Sequence, residues 1–96
     1  MEFDWDNGNQ LKSLIKHGTT KEESEQVFNN FYILTLDQVH SSAEVRFRML
    51  GTTDKGRVLF LIFTARGNKI RIISARSASQ SEREKYYENE ETKKNS

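Results

Sequence analysis

Apolar residues fall into three rhythms along the 96 residues of this chain. Leu11, Leu14 and Ile15 recur with helical spacing, between Asp6, a side chain suited to capping a helix, and Gly18, suited to ending one. Thr20 and Glu23 form a capping box for a second helix, with Val27 and Phe28 as its apolar anchors. Residues 45–50 alternate instead. Val45, Phe47 and Met49 take one side and Arg46 and Arg48 the other, the pattern of a half-buried strand. Residues 58–63 are apolar at every position, as a central strand covered on both faces requires. Residues 2–5, with Phe3 and Trp5 on one side, and the β-rich residues 31–36 read as further strands.

The connections are polar or glycine-bearing. Residues 37–44 form a polar loop, residues 51–56 run from glycine to glycine as a turn, and Gly67-Asn68 supplies a hairpin before a strand over residues 69–75. Ser79 and Glu82 make another capping box, opening a helix through about Tyr87. From Glu88 onward no residue is apolar, and the chain is expected to fray. The sum is α+β: an N-terminal short strand and two helices, then a mainly antiparallel sheet closed by a C-terminal helix. Residues 1–87 are expected to form one domain and residues 88–96 a polar tail.

Charge adds what the apolar pattern does not show. The net charge of +1 conceals a division: −5 over residues 1–44, +7 over residues 45–76 and −1 thereafter. The basic third coincides with the sheet, so its cations stand on a rigid surface. Guanidinium groups held there present a fork of donors to phosphate or carboxylate, which points to a polyanionic partner. With no cysteine and two histidines, a disulfide scaffold is excluded and a zinc site is disfavoured. Ten aromatics argue against general disorder, and the longest apolar run is far too short for a membrane span. The expectation is a soluble cytoplasmic domain without a membrane partner.

Several short motifs stand in order along the chain: Trp5-Asp6, Lys16-His17-Gly18 and Val27-Phe28, then Asp37, His40, Ser41, Glu44, Arg46 and Phe47. Thr64-x-Arg66, Arg71-Ile72-Ile73-Ser74-Ala75-Arg76 and Glu82-Arg83-x-x-Tyr86 complete the series. In this order and spacing the chain resembles the BrnT family, the toxin half of bacterial type II toxin–antitoxin pairs, whose fold is related to RelE-type ribonucleases. The resemblance covers nearly everything from Phe3 to Tyr86. It implies an endoribonuclease toxin with no metal or other cofactor. It also implies a cognate BrnA-like antitoxin of ribbon-helix-helix type, forming a heterotetramer that touches operator DNA only through the antitoxin. The family often carries a basic residue where Asn9 stands and asparagine at Ser13, so a contact made by the polar face of the first helix is in question here.

RNA can be cut without metal because its own 2′-hydroxyl attacks the adjacent phosphate. A protein then needs to take the 2′-proton, stabilise the phosphorane and protonate the leaving 5′-oxygen. Arg46, Arg66 and Arg76 are the expected phosphate clamp; the alternative is that they are solvated edge charges that keep the sheet from aggregating. Strict alternation puts Arg71 and Arg76 on opposite faces unless a bulge intervenes. His17, Glu44 and His40 are the candidates for proton transfer. His17 is equally suited to complement the dipole at a helix C-terminus, His40 to be merely solvated, and Glu44 to pair with Arg46. Lys16, Arg48, Arg71, Arg83 and Tyr86 are further candidates for RNA contact, Arg71 being equally a salt-bridge partner and Tyr86 also suited to pin the last helix to the sheet. A non-catalytic nucleic-acid-binding module, or a partner-interaction module using the same basic sheet, is the alternative function.

Overall fold

The computed structural model describes residues 1–39 and 43–94. Its elements are β1 (Glu2–Phe3), α1 (Asn7–His17), α2 (Lys21–Val27), β2 (Tyr32–Leu36), β3 (Arg46–Thr52), β4 (Val58–Arg66), β5 (Lys69–Ser77) and α3 (Gln80–Lys94). The strands form one five-stranded sheet in the order β1-β5-β4-β3-β2. Only β1 is parallel to its neighbour; β2 to β5 are linked antiparallel. The α+β arrangement is thus the observed one, with β4, apolar throughout residues 58–63, at the centre. No helix of the described residues is long and apolar enough to cross a membrane.

The capping chemistry works as the residues suggest. Asp6 and Asn9 reciprocate hydrogen bonds at the start of α1, Thr20 and Glu23 do so at α2, and Gly18 ends α1 at φ 63°. What α1 buries was not foreseen. Leu11, Leu14 and Ile15 face outward, Ile15 being 78% exposed, while Asn9 and Ser13 are buried. The cause is the open edge of β5. Beyond Ile70 no strand among the described residues pairs with that edge, and its backbone groups need partners. Asn9 Nδ2 donates to the Ile72 carbonyl at 3.0 Å, and the Ala75 amide donates to Ser13 Oγ at 3.0 Å. The helix docks through polar residues one turn apart because it closes a sheet edge instead of covering an apolar face.

Each sheet face has its own cover. Leu59, Leu61 and Phe63 pack with Met49, Ile72 and Val27 beneath α2, and Trp5 leans on this core while its Nε1 donates to Glu25 at 2.7 Å. Gly51 belongs to β3 and not to the following turn. A Cβ at Gly51 would lie 2.5 Å from Val27 Cγ1, so its bare backbone lets α2 approach. On the opposite face α3 covers only one end, where Tyr86 meets Leu50, Val58 and Ala78. That helix continues to Lys94, past the expected end near Tyr87. Its last turns need no apolar face: Asn89 bonds the Lys85 carbonyl, Thr92 the Glu88 carbonyl, and Lys94 pairs with Glu90 at 3.7 Å.

The β4–β5 register shifts between Ile62, opposite Ser74, and Phe63, opposite Ile72, which leaves Ile73 as a bulge. Arg71 opposes Thr64 and Arg76 opposes Phe60, two positions of β4 that share a face. The bulge therefore brings both arginines to the same side of the sheet, the side that α3 leaves half open.

Candidate active site

The open half of that face is an arginine-lined groove. β3 contributes Arg46 and Arg48, the end of β4 contributes Arg66, and β5 contributes Arg71. Lys12 enters from α1 and lines two adjoining depressions, one with Glu44, Arg46, Arg66 and Arg71, the other with Arg46, Arg48 and Ser74. Glu44 sits between two guanidiniums, 3.6 Å from Arg66 and 4.0 Å from Arg46. Both ion pairs are partly exposed and long, and such pairs contribute about 0–1 kcal/mol. An incoming phosphate can replace them at little cost. Arg71 is held harder: Asp6 is 2.9 Å away and Asp4 3.6 Å, and only 16% of the Arg71 side chain is exposed. The Asn9 amide, with Arg71 behind it, keeps the Asp6 carboxyl below the usual aspartate range. Arg48 has no acidic partner among the described residues. Among those residues no three His, Asp or Glu side chains converge as a metal site.

The expected three-arginine clamp does not assemble. Arg46 opposes Thr64 and Arg76 opposes Phe60, four residues along β4, or roughly 13 Å at the rise of a strand. Arg66 and Arg76 both end their strands, but the strands are antiparallel, so those ends are opposite ends of the sheet. Arg76 is committed elsewhere. Its Nη1 and Nη2 donate to Glu82 at 2.8 and 3.0 Å, and it lies 4.3 Å over the Phe60 ring. Glu82 also accepts from the Ser79 amide, so Arg76 ties the start of α3 to the sheet.

The family model described as ribonuclease toxin, BrnT, of type II toxin–antitoxin system matches residues 5–82. The chain belongs to this family. It is also similar in fold to the crystal structure of the Brucella abortus ribonuclease toxin BrnT, at TM-score 0.59 and 24% identity, over 83% of this chain and 99% of that one. No curated protein matches the chain. Membership makes it a toxin with ribonuclease activity and implies an antitoxin partner.

The remaining candidates of this BrnT-family chain scatter. His17 lies at the end of α1, where its carbonyl accepts from Arg57 at 3.4 Å, close to the first residue of β4. Glu44 lies by the last residue of β4. Nine residues separate these ends, a span of roughly 26 Å, so His17 and Glu44 do not form an acid–base pair. Lys16 is exposed in the last turn of α1 and does not line either depression. Arg83 donates to the Ala78 carbonyl at 2.8 Å and helps shape the start of α3. Tyr86 is fully buried, its hydroxyl donating to the Phe31 carbonyl at 2.9 Å; burial raises its pKa, and it is a core residue out of reach of RNA. His40 lies outside the described residues. Asn9 and Ser13, set apart because they depart from the family, hold α1 to β5. Lys12 was overlooked, although it follows Asn9 by three residues and so shares its side of the helix.

Proposed function

We propose that the chain is a metal-independent endoribonuclease that cuts mRNA in the cytoplasm, stopping translation and growth until an antitoxin neutralises it. The supporting observation is Glu44 between Arg46 and Arg66 in an open basic depression. Glu44 takes the proton of the 2′-hydroxyl, whose oxygen then bonds to the adjacent phosphorus. Arg46 and Arg66, released from Glu44 as the phosphate enters, carry the charge of the phosphorane. The bond from phosphorus to the 5′-oxygen breaks, that oxygen gains a proton from Lys12, and the products are a 2′,3′-cyclic phosphate and a 5′-hydroxyl. Arg48 holds a neighbouring phosphate, while Arg71, paired to Asp6 and Asp4, braces the wall of the groove. The antitoxin is the BrnA-like ribbon-helix-helix protein of a heterotetramer.

Incubating the purified chain with end-labelled RNA in EDTA tests this. Cyclic-phosphate ends are expected, together with a fall of about 10²–10⁴-fold in rate for Glu44→Gln. Salt-sensitive binding with no cleavage would replace the enzyme by a non-catalytic binding module.

A further inference from the structure

The two edges of the sheet are treated differently. On one side β1 pairs with the first residues of β5, and α1 bonds the rest of that edge through Asn9 and Ser13. On the other side β2 is the last strand, and among the described residues no strand pairs with its outer edge. An open edge is a template for another strand, and folded chains commonly guard it with lysine, proline or a bulge. β2 carries none of these: Tyr32-Ile33-Leu34-Thr35-Leu36 is uncharged and pairs with β3 in unbroken register.

Its faces also differ. Tyr32, Leu34 and Leu36 project on the α2 side and are 40%, 48% and 44% exposed, a row of apolar side chains next to half-buried Phe28 and Phe47. Ile33 and Thr35 project on the groove side, where Arg48, directly across from Thr35, and Lys85 line the adjoining depression together with Glu82, whose carboxylate is held by Arg76. Neither cation has an acidic partner among the described residues.

We propose that β2 is the docking edge for the antitoxin, and that the docking segment is an extended strand alternating apolar with acidic residues. The unpaired backbone row calls for a strand. Period-two alternation then sends one set of its side chains onto the row of Tyr32, Leu34 and Leu36 and the other towards Arg48 and Lys85. A second copy of this chain, pairing through its own uncharged β2, would bring no acid to those cations. Acids seated on Arg48 would cover one wall of the groove, so docking at the edge would also obstruct RNA. The proposal rests on the antitoxin half of the reading above and not on the chemistry given to Glu44.

The test titrates the full chain with two labelled synthetic peptides, one alternating valine with glutamate and one alternating valine with lysine. The glutamate peptide is expected to bind, to weaken as salt is raised and to slow hydrogen exchange in residues 32–36. The lysine peptide should bind about tenfold more weakly or worse, as should the glutamate peptide on Leu34→Lys or Leu36→Lys variants that are folded by circular dichroism. No binding, equal affinity for both peptides, or protection confined elsewhere would overturn the proposal. So would sedimentation showing a dimer of the chain that Leu34→Lys dissociates, which would assign the edge to a second copy. RNA cleavage is measured alongside: Leu34→Lys should cut at the wild-type rate. A wild-type chain that binds the peptide but cuts no RNA would refute the nuclease chemistry alone.

Discussion

Replacing Arg76 by alanine separates a structural arginine from a catalytic one. The Arg76 guanidinium lowers the Glu82 carboxyl from its ordinary 4.5 to about 2, chiefly by the two hydrogen bonds it donates. Taken whole, that shift corresponds to roughly 3 kcal/mol. The Arg76 side chain is 36% exposed, however, and water screens the pair, which leaves about 1–2 kcal/mol. Because the folded carboxyl is depressed, this stability is complete above about pH 4.5 and disappears as the pH falls through about 2. Arg76→Ala should therefore cost about 1–2 kcal/mol at pH 7, with a further few tenths from the lost stacking on Phe60. Near pH 2 only the stacking part should remain. Urea unfolding followed by circular dichroism at the two pH values reads both differences. Cleavage of RNA by the folded variant at pH 7 should match the wild type. A variant as stable as the wild type but inactive would refute the reasoning, because it would put Arg76 back at the scissile phosphate.

Three other substitutions probe the groove and its supports. Ser13→Ala leaves the buried Ala75 amide without its acceptor and should cost about 1–3 kcal/mol in chemical denaturation. Lys12→Ala should slow RNA cleavage by about 10²–10⁴-fold, because the leaving 5′-oxygen loses its proton donor, and should reduce the slope of log affinity against log salt by about 0.7. Gly51→Ala forces a methyl against Val27 and should cost about 1–3 kcal/mol, with part regained in the Gly51→Ala/Val27→Ala double variant; additive losses would show that α2 does not press on that glycine.

The parts of this fold that could be read from the chain are those whose cause is local. Period-two alternation and an unbroken apolar run locate β3 and β4, and two capping boxes and the Asp6 cap locate the helix starts, because each depends on residues within a few positions of one another. Apart from the local extension of α3 past Tyr87 and the place of Gly51 in β3, what the chain does not show lies across the fold. The apolar stripe of α1 promises an inward face, but whether a helix covers a sheet or closes its edge depends on which strand has spare backbone groups, and Asn9 and Ser13 show their role only beside Ile72 and Ala75.

The place of Arg76 is hidden from the sequence for a related reason. Two residues that each end a strand meet only if the strands run the same way, and the Gly67-Asn68 hairpin already implies that β4 and β5 do not. The bulge at Ile73 has no glycine or proline to announce it, yet it is what brings Arg71 onto the face of Arg46. The carboxylate pairs made by the arginines differ along the sheet. Arg76 makes two hydrogen bonds within 3.0 Å to a carboxylate that Ser79 also positions, whereas Arg46 and Arg66 meet Glu44 at 3.6–4.0 Å. A phosphate entering the groove competes with the second arrangement far more readily than with the first. This difference favours the proposed chemistry at the Glu44 end of the sheet, with the Glu82 end tying α3 to it.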